Sequence, residues 1–330
     1  MSKKINWGIL GAAAIAKDQL IPAIKQSENS NLAALASREI EKAKVIAEAN
    51  NIPKCYGSYN ELINDPQIDA VYIPLPNHMH LEYTIKSIQK GKHVLVEKPI
   101  CLKSADVEEL IKVMRDYPQV KVMEAFMYKL HPQWIKVKEL IQNGAIGKLK
   151  FIQSSFSFFD DNPNSIVNTK EYGGGSLYDI GCYPVSVSRF IFDDEPNLIY
   201  ANMHRDPKME IDITANCILE FNNGSSQFFS SIRMKDNQNV KIYGTDGIIE
   251  LKLPFNPALN KPAEIILTKN ETNEIIKVDM CNQYELEVSL FSKSIIENIE
   301  PPISIQDSLN NMLVIDKIFD SAKIGKKIIL

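Results

Sequence analysis

The sequence predicts an α/β protein in which an N-terminal doubly wound parallel sheet precedes a C-terminal α+β region with a large, mainly antiparallel open sheet. Over the first 125 residues, short apolar runs alternate with segments of helical period, which is typical of βαβ units. From about residue 147, extended segments and hairpin dipeptides replace that alternation. The length of 330 residues suits two domains.

The parallel sheet is predicted from apolar runs that are followed by segments with helical spacing of apolar residues. Strands of such sheets are buried on both faces and therefore read as continuous apolar runs. The predicted strands are Ile5–Leu10, Leu32–Ala36, Ala70–Ile73, His93–Val96 and Lys121–Met123. The predicted helices lie near Ala14–Gln26, Glu39–Ala49, Tyr59–Ile63, Leu81–Lys90 and Ala105–Tyr117.

The antiparallel sheet is predicted from a long extended segment, Leu149–Phe158, and from turn dipeptides that favour positive φ. Asn223-Gly224 and Asp246-Gly247 each separate two extended runs, and Asn270–Asn273 is expected to turn another pair. The chain ends with two predicted helices, Tyr284–Asn298 and Ile305–Ala322, before a short apolar segment, Ile328–Leu330.

Composition excludes several classes of protein. Lys+Arg 37 against Asp+Glu 41 leaves a net charge of −4, which provides no basic surface for nucleic acid. There is no apolar run long enough to span a membrane, and the early apolar stretch is too short for a signal peptide. The five cysteines are dispersed without a C-x-x-C pair, which argues against zinc. We therefore expect a cytoplasmic protein that requires no metal.

The first strand and helix are joined by a short run of small residues. Gly11 closes the strand, Ala13 and Ala16 occupy positions where a dinucleotide fingerprint has glycines, and Ala14 and Ile15 open the helix. The N–H groups and dipole of that helix end favour a phosphate. The segment predicts a Rossmann dinucleotide site, with an ordinary strand-to-helix turn as the alternative.

The end of the second strand bears on the choice of cofactor. A carboxylate at this point would mark NAD, but Ser37 and Arg38 come first and Glu39 only after them. A hydroxyl and a guanidinium suit a 2′-phosphate. We favour NADP and retain NAD as the alternative, because Glu39 is a rival ligand for the ribose.

The loops after the third and fourth of these strands are expected at the same edge of the sheet. Pro74, Leu75 and Asn77 follow the third strand with His80, where they would contact ribose or nicotinamide or cap the next helix. Glu97-Lys98-Pro99 follows the fourth strand. Proline restricts Lys98 to an extended backbone and permits a cis bond.

A glycine-rich turn, Gly173–Gly175, leads into a predicted helix that carries Asp179 and Tyr183. These two residues are four apart and are expected to share one helical face. An ammonium such as that of Lys98 beside the Tyr183 phenol would lower its pKa and suit it to acid–base work. Asp179 is a candidate to orient the tyrosine or a substrate hydroxyl, with a helix-start aspartate and a core tyrosine as the alternative.

In this order, the elements resemble the Gfo/Idh/MocA oxidoreductases over nearly the whole chain. The glycine-rich segment, with its tyrosine, is similar to that of one branch of the family. This branch contains dimeric dihydrodiol dehydrogenase, xylose dehydrogenase and glucose-fructose oxidoreductase. The motifs that carry the resemblance are Trp7–Gly11, Pro76-Asn77 with His80, Glu97–Pro99, Met123–Met127, His131–Gln133 and Gly173–Tyr183.

The resemblance implies roles for residues. Lys98 would contact substrate and nicotinamide, Tyr183 would give or take the proton, and Asp179 would assist near the substrate hydroxyl. It also implies a homodimer or homotetramer assembled through the C-terminal sheet. Two features depart from the family pattern: Ala13 replaces a frequent glycine, and Asn164–Asn168 lacks an arginine of several sugar dehydrogenases.

The sequence therefore predicts residues 1–125 as a dinucleotide-binding domain and 126–330 as a substrate-binding and oligomerisation domain, with a C-terminal helix that packs back on the first. The expected activity is NAD(P)-dependent oxidation of a hydroxyl, or reduction of a carbonyl, in a sugar, polyol or cyclic diol. The alternatives are a non-catalytic dinucleotide-binding regulator and a reductase of a non-sugar carbonyl, dihydrodiol or tetrapyrrole.

Overall fold

The structure is a computed structural model that describes residues 3–330. Within them the chain packs as two units, one of residues 3–130 with Asn282–Leu309 and one of His131–Cys281 with Asn310–Leu330. The functional boundary between residues 125 and 126 stays a prediction, and residues 1 and 2 of its first domain lie outside the described residues. The first unit also contains a C-terminal segment, so it is discontinuous in sequence.

The first unit contains a parallel sheet with helices between its strands. The strands are β1 (Ile5–Leu10), β2 (Ser30–Ala36), β3 (Lys54–Tyr56), β4 (Ala70–Ile73), β5 (His93–Val96) and β6 (Val122–Glu124). The helices are α1 (Ile21–Gln26), α2 (Ile40–Asn50), α3 (Tyr59–Asn64), α4 (His80–Gln89) and α5 (Ser104–Asp116). A π-helical segment, Ala16–Leu20, precedes α1, and 3-10 turns cover Asn77–Met79 and Met127–Leu130.

The order of the strands in this sheet is β3-β2-β1-β4-β5-β6 across the described residues. Every ladder between neighbours is parallel. The predicted doubly wound domain is confirmed. The sequence reading missed β3, which has three half-buried residues and begins with a lysine, so it carries no apolar run.

The second unit contains an open sheet and the helices that accompany it. Its elements in chain order are α6 (Pro132–Gln142), β7 (Leu149–Phe159), α7 (Cys182–Phe192), β8 (Leu198–Arg205), β9 (Asp212–Phe221), β10 (Gly224–Ser231), β11 (Arg233–Gly244), β12 (Ile248–Leu251), β13 (Ala263–Lys269) and β14 (Thr272–Val278). Later in the chain come α8 (Gln283–Glu297), which belongs to the first unit, α9 (Ile305–Ile324), which begins in the first unit and continues in the second, and β15 (Ile328–Ile329). Shorter segments are 3-10 turns at Ile166–Asn168 and Lys170–Tyr172 and a π-helical segment at Leu177–Gly181.

In the described chain this sheet has the order β14-β13-β12-β11-β7-β10-β9-β8-β15. Its ladders are antiparallel except that between β7 and β10, which confirms the predicted mainly antiparallel open sheet. The Asn223-Gly224 and Asp246-Gly247 dipeptides lie where neighbouring antiparallel strands connect, but none of these four residues adopts a positive φ. Positive φ occurs instead in the expected turn at Asn270–Asn273, where Asn270 and Glu271 connect β13 to β14. No helix was predicted at α6, which begins with proline at its first position and has His131 as its N-cap.

Helix α8 belongs to the first unit because its side chains complete the core beside β1. The Trp7 indole N–H donates to the hydroxyls of Ser30 (3.3 Å) and Ser292 (3.1 Å), and the ring of Phe291 lies 5.8 Å from that of Trp7. A buried indole needs such a partner for its N–H group. Among the helices of residues 3–330, none is both long and apolar enough to cross a membrane.

Candidate active site

Most of the predicted cofactor residues lie at one edge of the parallel sheet. Gly11 follows β1, Ser37 follows β2, Pro74 follows β4 and Glu97 follows β5, and these four strands are neighbours in the sheet. The carboxyl ends of parallel strands meet at the same edge, and ligands of open α/β sheets bind in the crevice where the strand order reverses. The order β2-β1-β4 places that crevice between β1 and β4.

Gly11 adopts a φ of +125°, which other residues rarely adopt. A Cβ there would also lie 3.1 Å from Leu75 Cδ2 and 3.7 Å from the Pro74 carbonyl oxygen, so the backbone makes a close turn against that loop. Ala13 and Ile15 are partly exposed and Ala14 is exposed. The first N–H groups of a helix have no partner within the helix. Gly11 and the alanines therefore leave a cradle that larger side chains would fill, which fits the diphosphate of a dinucleotide.

Ser37 and Arg38 differ in their surroundings. Ser37 is buried, and its hydroxyl accepts the Glu39 N–H at 3.2 Å. Arg38 is exposed and donates a hydrogen bond to the Tyr59 phenol, which partly offsets the rise in the Tyr59 pKa caused by burial. An exposed guanidinium at this strand end can hold a phosphate, whereas the Ser37 hydroxyl is already engaged.

His80 ties two loops together. It is fully buried, and its ring nitrogens lie 2.8 Å from the Pro99 carbonyl oxygen and 2.7 Å from that of Leu75. Burial lowers the pKa of His80 to about 4. The ring therefore joins the loop after β4 to the one after β5, while Asn77 beside it is half-buried.

Lys98 is half-buried and lies just beyond β5, after Glu97. Its peptide bond to Pro99 is cis, and its backbone N–H donates to Glu97 Oε2 at 3.3 Å. The other carboxyl oxygen, Glu97 Oε1, accepts the hydroxyl of Tyr72 at 2.5 Å. The residue before the lysine is thus fixed from the strand next to it.

The side chains of Tyr72 and Glu287 both interact with the Glu97 carboxyl. Burial raises the pKa of Tyr72 and that of Glu287 well above their ordinary values, with the charge of Glu97 next in effect. Within the described residues, Glu287 Oε1 has no hydrogen-bond partner. Two carboxylates so close together in the interior repel each other, so we assign the negative charge to Glu97 and the proton to Glu287.

In the second unit, a buried carboxylate holds the start of the helix that carries Asp179. Asp212 Oδ2 accepts the Ser176 hydroxyl (2.9 Å) and the Leu177 N–H (2.7 Å). Gly175 has a φ of +116°, and a Cβ there would lie 2.2 Å from Asp212 Oδ1. Burial raises the pKa of Asp212 to about 6, although its hydrogen bonds oppose that rise.

Asp179 and Tyr183 lie in different kinds of helix. Asp179 is half-buried within the π-helical segment, and its N–H donates to the Gly175 carbonyl at 3.1 Å. Tyr183 is the second residue of α7 and is 5% exposed. A π-turn is closed by an i→i+5 hydrogen bond, and residues four apart stay on nearly the same side of it, so the common face expected for Asp179 and Tyr183 stays a prediction. Such π segments are frequent at functional sites.

The ring of Tyr183 packs in an aromatic cluster. Its centroid lies 5.5 Å from that of Phe156 and 5.1 Å from that of Phe255, and these two phenylalanines stack at 5.0 Å. Phe156 also lines a cavity of about 380 Å³. The wall of this cavity includes Phe158, Asp236, Gln238 and Lys252. The cavity therefore presents both aromatic rings and polar side chains next to Phe156, which packs against Tyr183.

Other predicted features have different surroundings. Phe159, at the end of β7, and Tyr172, just before the glycine-rich turn, are 60% and 41% exposed. The five cysteines are free thiols. Across residues 3–330, no group of three or more His, Cys, Asp or Glu side chains is arranged to hold a metal ion.

Several residues of these surroundings were not predicted from the sequence. Tyr72 stands in an otherwise apolar buried strand, and its hydroxyl, which must find a partner, was the available signal. Asp212, Gln238 and Phe255 are brought to the site by pairing and loops distant in sequence, and no local pattern marks them.

Comparison with known proteins extends these observations. Residues 5–126 match the Gfo/Idh/MocA oxidoreductase family, NAD-binding Rossmann fold, and residues 134–250 match the Gfo/Idh/MocA C-terminal domain. D-xylose 1-dehydrogenase (NADP(+)) 2 of Haloferax volcanii is 34% identical, covering 97% of this chain and 98% of its own.

Trans-1,2-dihydrobenzene-1,2-diol dehydrogenase of Xenopus laevis is 35% identical over 81% of this chain and 80% of its own. Among solved structures, aldose-aldose oxidoreductase of Caulobacter crescentus complexed with glycerol superposes with a TM-score of 0.92 at 25% identity. That match covers 99% of this chain and 100% of the other. These relatives confirm the branch that the sequence resembled. The chain belongs to the Gfo/Idh/MocA oxidoreductases, a family with an NAD-binding Rossmann fold.

Proposed function

We propose that the protein is an NADP-dependent dehydrogenase or reductase that acts on a hydroxyl-bearing or carbonyl carbon of a sugar, polyol or cyclic diol. The observation that carries the proposal is the position of Tyr183, which packs on an aromatic wall of a cavity in the second unit. Membership of an oxidoreductase family and the lysine at the dinucleotide edge of the first unit support it.

The residues for the cofactor come from residues 1–125, the functional domain we propose for it. Gly11, Ala13, Ala14 and Ile15 would hold the diphosphate. Ser37 and Arg38 mark the 2′-phosphate end, with the guanidinium as its ligand. We place Pro74, Leu75, Asn77 and Glu97 along the ribose and nicotinamide, and give His80 the task of holding their loops. The bound nicotinamide supplies or accepts the hydride.

Three side chains would handle the proton and charge of the reaction. Tyr183 gives or takes the hydroxyl proton, Lys98 stabilises negative charge that develops on the oxygen, and Asp179 orients the reacting hydroxyl. A positioned proton donor contributes about 100- to 10,000-fold to rate, and a fixed charge can add a comparable factor.

The substrate class is supported by the cavity in the second unit. Rings of Phe156 and Phe158 offer flat apolar faces for C–H groups, and Asp236 and Lys252 offer partners for hydroxyls. Its volume of about 380 Å³ falls within the range of small-molecule sites. The xylose, aldose and diol relatives act on molecules of this kind, as their names state.

The exposed face of the open sheet supports a homodimer or homotetramer. Tyr200, Ile218 and Gln227 are cross-strand neighbours on this face, and the first two are 42% and 36% exposed. Exposed apolar side chains that are neighbours on a sheet, such as Tyr200 and Ile218, favour burial against a second copy of the chain. Light scattering should give a molar mass that is a multiple of 37.3 kDa, and Ile218→Asp should lower that mass.

The free thiols suit a reducing compartment such as the cytoplasm.

The proposal is tested by the rise of reduced-nicotinamide absorbance with NAD or NADP and D-xylose, D-glucose, inositol, glycerol or cyclic diols. Its fall is followed with NADH or NADPH and dicarbonyls. We expect NADP-linked turnover on a sugar, polyol or diol. Tyr183→Phe should lower kcat by about 100- to 10,000-fold with NADP affinity unchanged. Tyr117→Phe, at the end of α5, is the matched control and should keep full turnover.

Full turnover by Tyr183→Phe would overturn the assignment of the tyrosine. NADP binding without turnover on any of these compounds would favour a non-catalytic regulator. Turnover confined to dicarbonyls would favour the non-sugar reductase.

A further inference from the structure

The loop between β12 and β13 is irregular, yet it contributes a fully buried side chain to the site. Phe255 is 0% exposed and packs on both Tyr183 and Phe156. An irregular loop has no ladder of backbone hydrogen bonds to fix it, so its position depends on other contacts. The contacts of residues 253–256 therefore decide where this ring lies.

One side of the loop is held by the start of α6. Gln133 Nε2 donates to the carbonyl oxygens of Leu253 (3.3 Å) and Pro254 (3.0 Å). The Trp134 indole N–H donates to the same Pro254 oxygen at 2.8 Å. Both donor residues are buried, at 1% and 0% exposure, so these bonds are shielded from competing water.

The other side is held by β11. The side-chain oxygen of Gln238 accepts the N–H groups of Phe255 and Asn256, each at 3.0 Å. In the sheet, Gln238 is the direct partner of Phe156 on β7. One side chain thus fixes the backbone of Phe255 next to the strand position that supplies the other ring against Tyr183.

The motif His131-Pro132-Gln133 explains how α6 presents its donors. His131 caps the helix, since its Nδ1 accepts the Gln133 N–H at 3.1 Å. Burial lowers the pKa of His131 to about 4, so this nitrogen stays available as an acceptor at neutral pH. Pro132 occupies the first helical position. The cap fixes the first turn, which carries Gln133 and Trp134.

We infer that Gln238, together with Gln133 and Trp134, is a positioning residue of the active site: it holds Phe255 against the Tyr183 ring and so fixes the direction of the phenol hydroxyl. This inference rests on the proposed role of Tyr183. Phe255 of this loop contacts both Tyr183 and the cavity-lining Phe156. A displaced Phe255 would therefore leave the Tyr183 ring free to turn. A proton donor displaced by even about 1 Å loses much of its rate advantage.

The test compares Gln238→Met, which keeps the size of the side chain and removes the acceptor, with Gln238→Glu, which retains an acceptor oxygen. With NADP and the sugar of highest turnover, Gln238→Met should lower kcat about tenfold. It should also shift the inflection that ionisation of Tyr183 produces in the plot of kcat against pH. The KM for NADP should not change. Gln238→Glu should restore kcat to within about threefold of the parent, because the two N–H groups regain a partner.

A double-mutant cycle separates positioning from general damage. In a Tyr183→Phe background, Gln238→Met should have no further effect on kcat, because the hydroxyl it positions is gone. Gln142→Met, at the exposed end of α6, is the matched control and should resemble the parent. Thermal unfolding of each variant reports whether it folds. If Gln238→Met unfolds, Phe255→Leu carries the same test, because it removes the ring that Gln238 holds against Tyr183.

The outcomes distinguish the two proposals. Unchanged turnover in Tyr183→Phe overturns the proposed function itself. A strong loss in Tyr183→Phe with unchanged kcat and pH profile in Gln238→Met overturns only the positioning role. Equal losses from Gln238→Met with and without the tyrosine hydroxyl also overturn it, since they indicate a purely structural effect.

Discussion

Lys98 follows a strand whose neighbouring side chains, Tyr72, Glu97 and Glu287, are ionisable. Tyr183, by contrast, packs against the stacked rings of Phe156 and Phe255. Hydrogen bonds and charge orient a group precisely, but they make its support sensitive to protonation. Ring packing is insensitive to pH and less directional, so the second unit needs backbone anchors to keep its rings in place. The comparison teaches that each unit supports its proposed catalytic side chain by the means its surroundings allow.

The largest effect expected is on the backbone anchor at Gly175. Gly175→Ala would force a residue into a φ of +116° and place its Cβ 2.2 Å from Asp212 Oδ1. We expect a loss of about 4 kcal/mol in the free energy of unfolding, measured with denaturant. Gly144→Ala, at a φ of +72° with no atom within 4 Å of the new Cβ, should lose about 1 kcal/mol. Equal losses would contradict the contact with Asp212.

The next effect concerns pH and has opposite signs in the two units. Asp212 has a raised pKa of about 6, so the folded state binds its proton more tightly than the unfolded state does. Its contribution to stability is full below about pH 4 and falls by about 3 kcal/mol as pH rises to 6. Asp65 accepts from Lys54 and Tyr56, which hold its pKa at about 2. Its contribution is present above about pH 4 and is lost as pH falls toward 2.

These signs are checked by denaturant unfolding between pH 3 and 7. Asp212→Asn should remove part of the fall in stability between pH 4 and 6, because the amide does not ionise. Asp65→Asn should cost stability near neutral pH and progressively less toward pH 3. Parallel pH curves for the parent and both variants would show that neither carboxyl has a shifted pKa.

A smaller effect is expected at the support of Lys98. Tyr72→Phe removes the donor to Glu97 in a buried site, which should cost about 2 kcal/mol of unfolding free energy and lower kcat. Tyr56→Phe removes a similar bond to Asp65 in a less buried place and should cost about 1 kcal/mol without changing kcat. Loss of kcat in both variants would contradict the specific role of the Tyr72–Glu97 pair.

The smallest effect concerns the cofactor. Arg38→Ala should raise the KM for NADP about tenfold, because the 2′-phosphate loses one exposed charge-assisted hydrogen bond. The KM for NAD should not change. Glu39→Gln is the matched control at the next position and should leave the KM for NADP unchanged. A parent enzyme that prefers NAD, or an Arg38 variant that loses both cofactors equally, would argue for Glu39 as the ribose ligand.

The sequence predicts for a topological reason that the candidate cofactor residues of the first unit lie at one edge of the sheet. Gly11, Ser37, Pro74 and Glu97 each follow an apolar run, and parallel strands bring their carboxyl ends to one edge whatever the details of packing. The hairpin dipeptides predict which extended runs pair, because each marks a short connection between them, but not the register, since Gly224 is itself paired with Phe221 in the ladder.

The remaining features depend on contacts that no local pattern encodes. Gln238 holds Phe255 across an irregular loop, and Asp212 holds Gly175 from another strand. The π-helical segment at Leu177–Gly181, in place of a regular α-helical start, is not distinguished by the apolar pattern of the sequence. Such features follow from tertiary packing, so a single sequence indicates the residue types but not their partners.

The bond between Trp7 and Ser292 spans 285 residues, and it has a consequence for synthesis on the ribosome. At about 5–20 residues per second, the partner of Trp7 is made roughly 15–60 s after Trp7 itself. During that interval the β1 side of the sheet lacks the helix that covers its indole. A chain cut short before α8 would therefore expose this tryptophan, and the nascent N-terminal half is the part of the protein that most needs a chaperone.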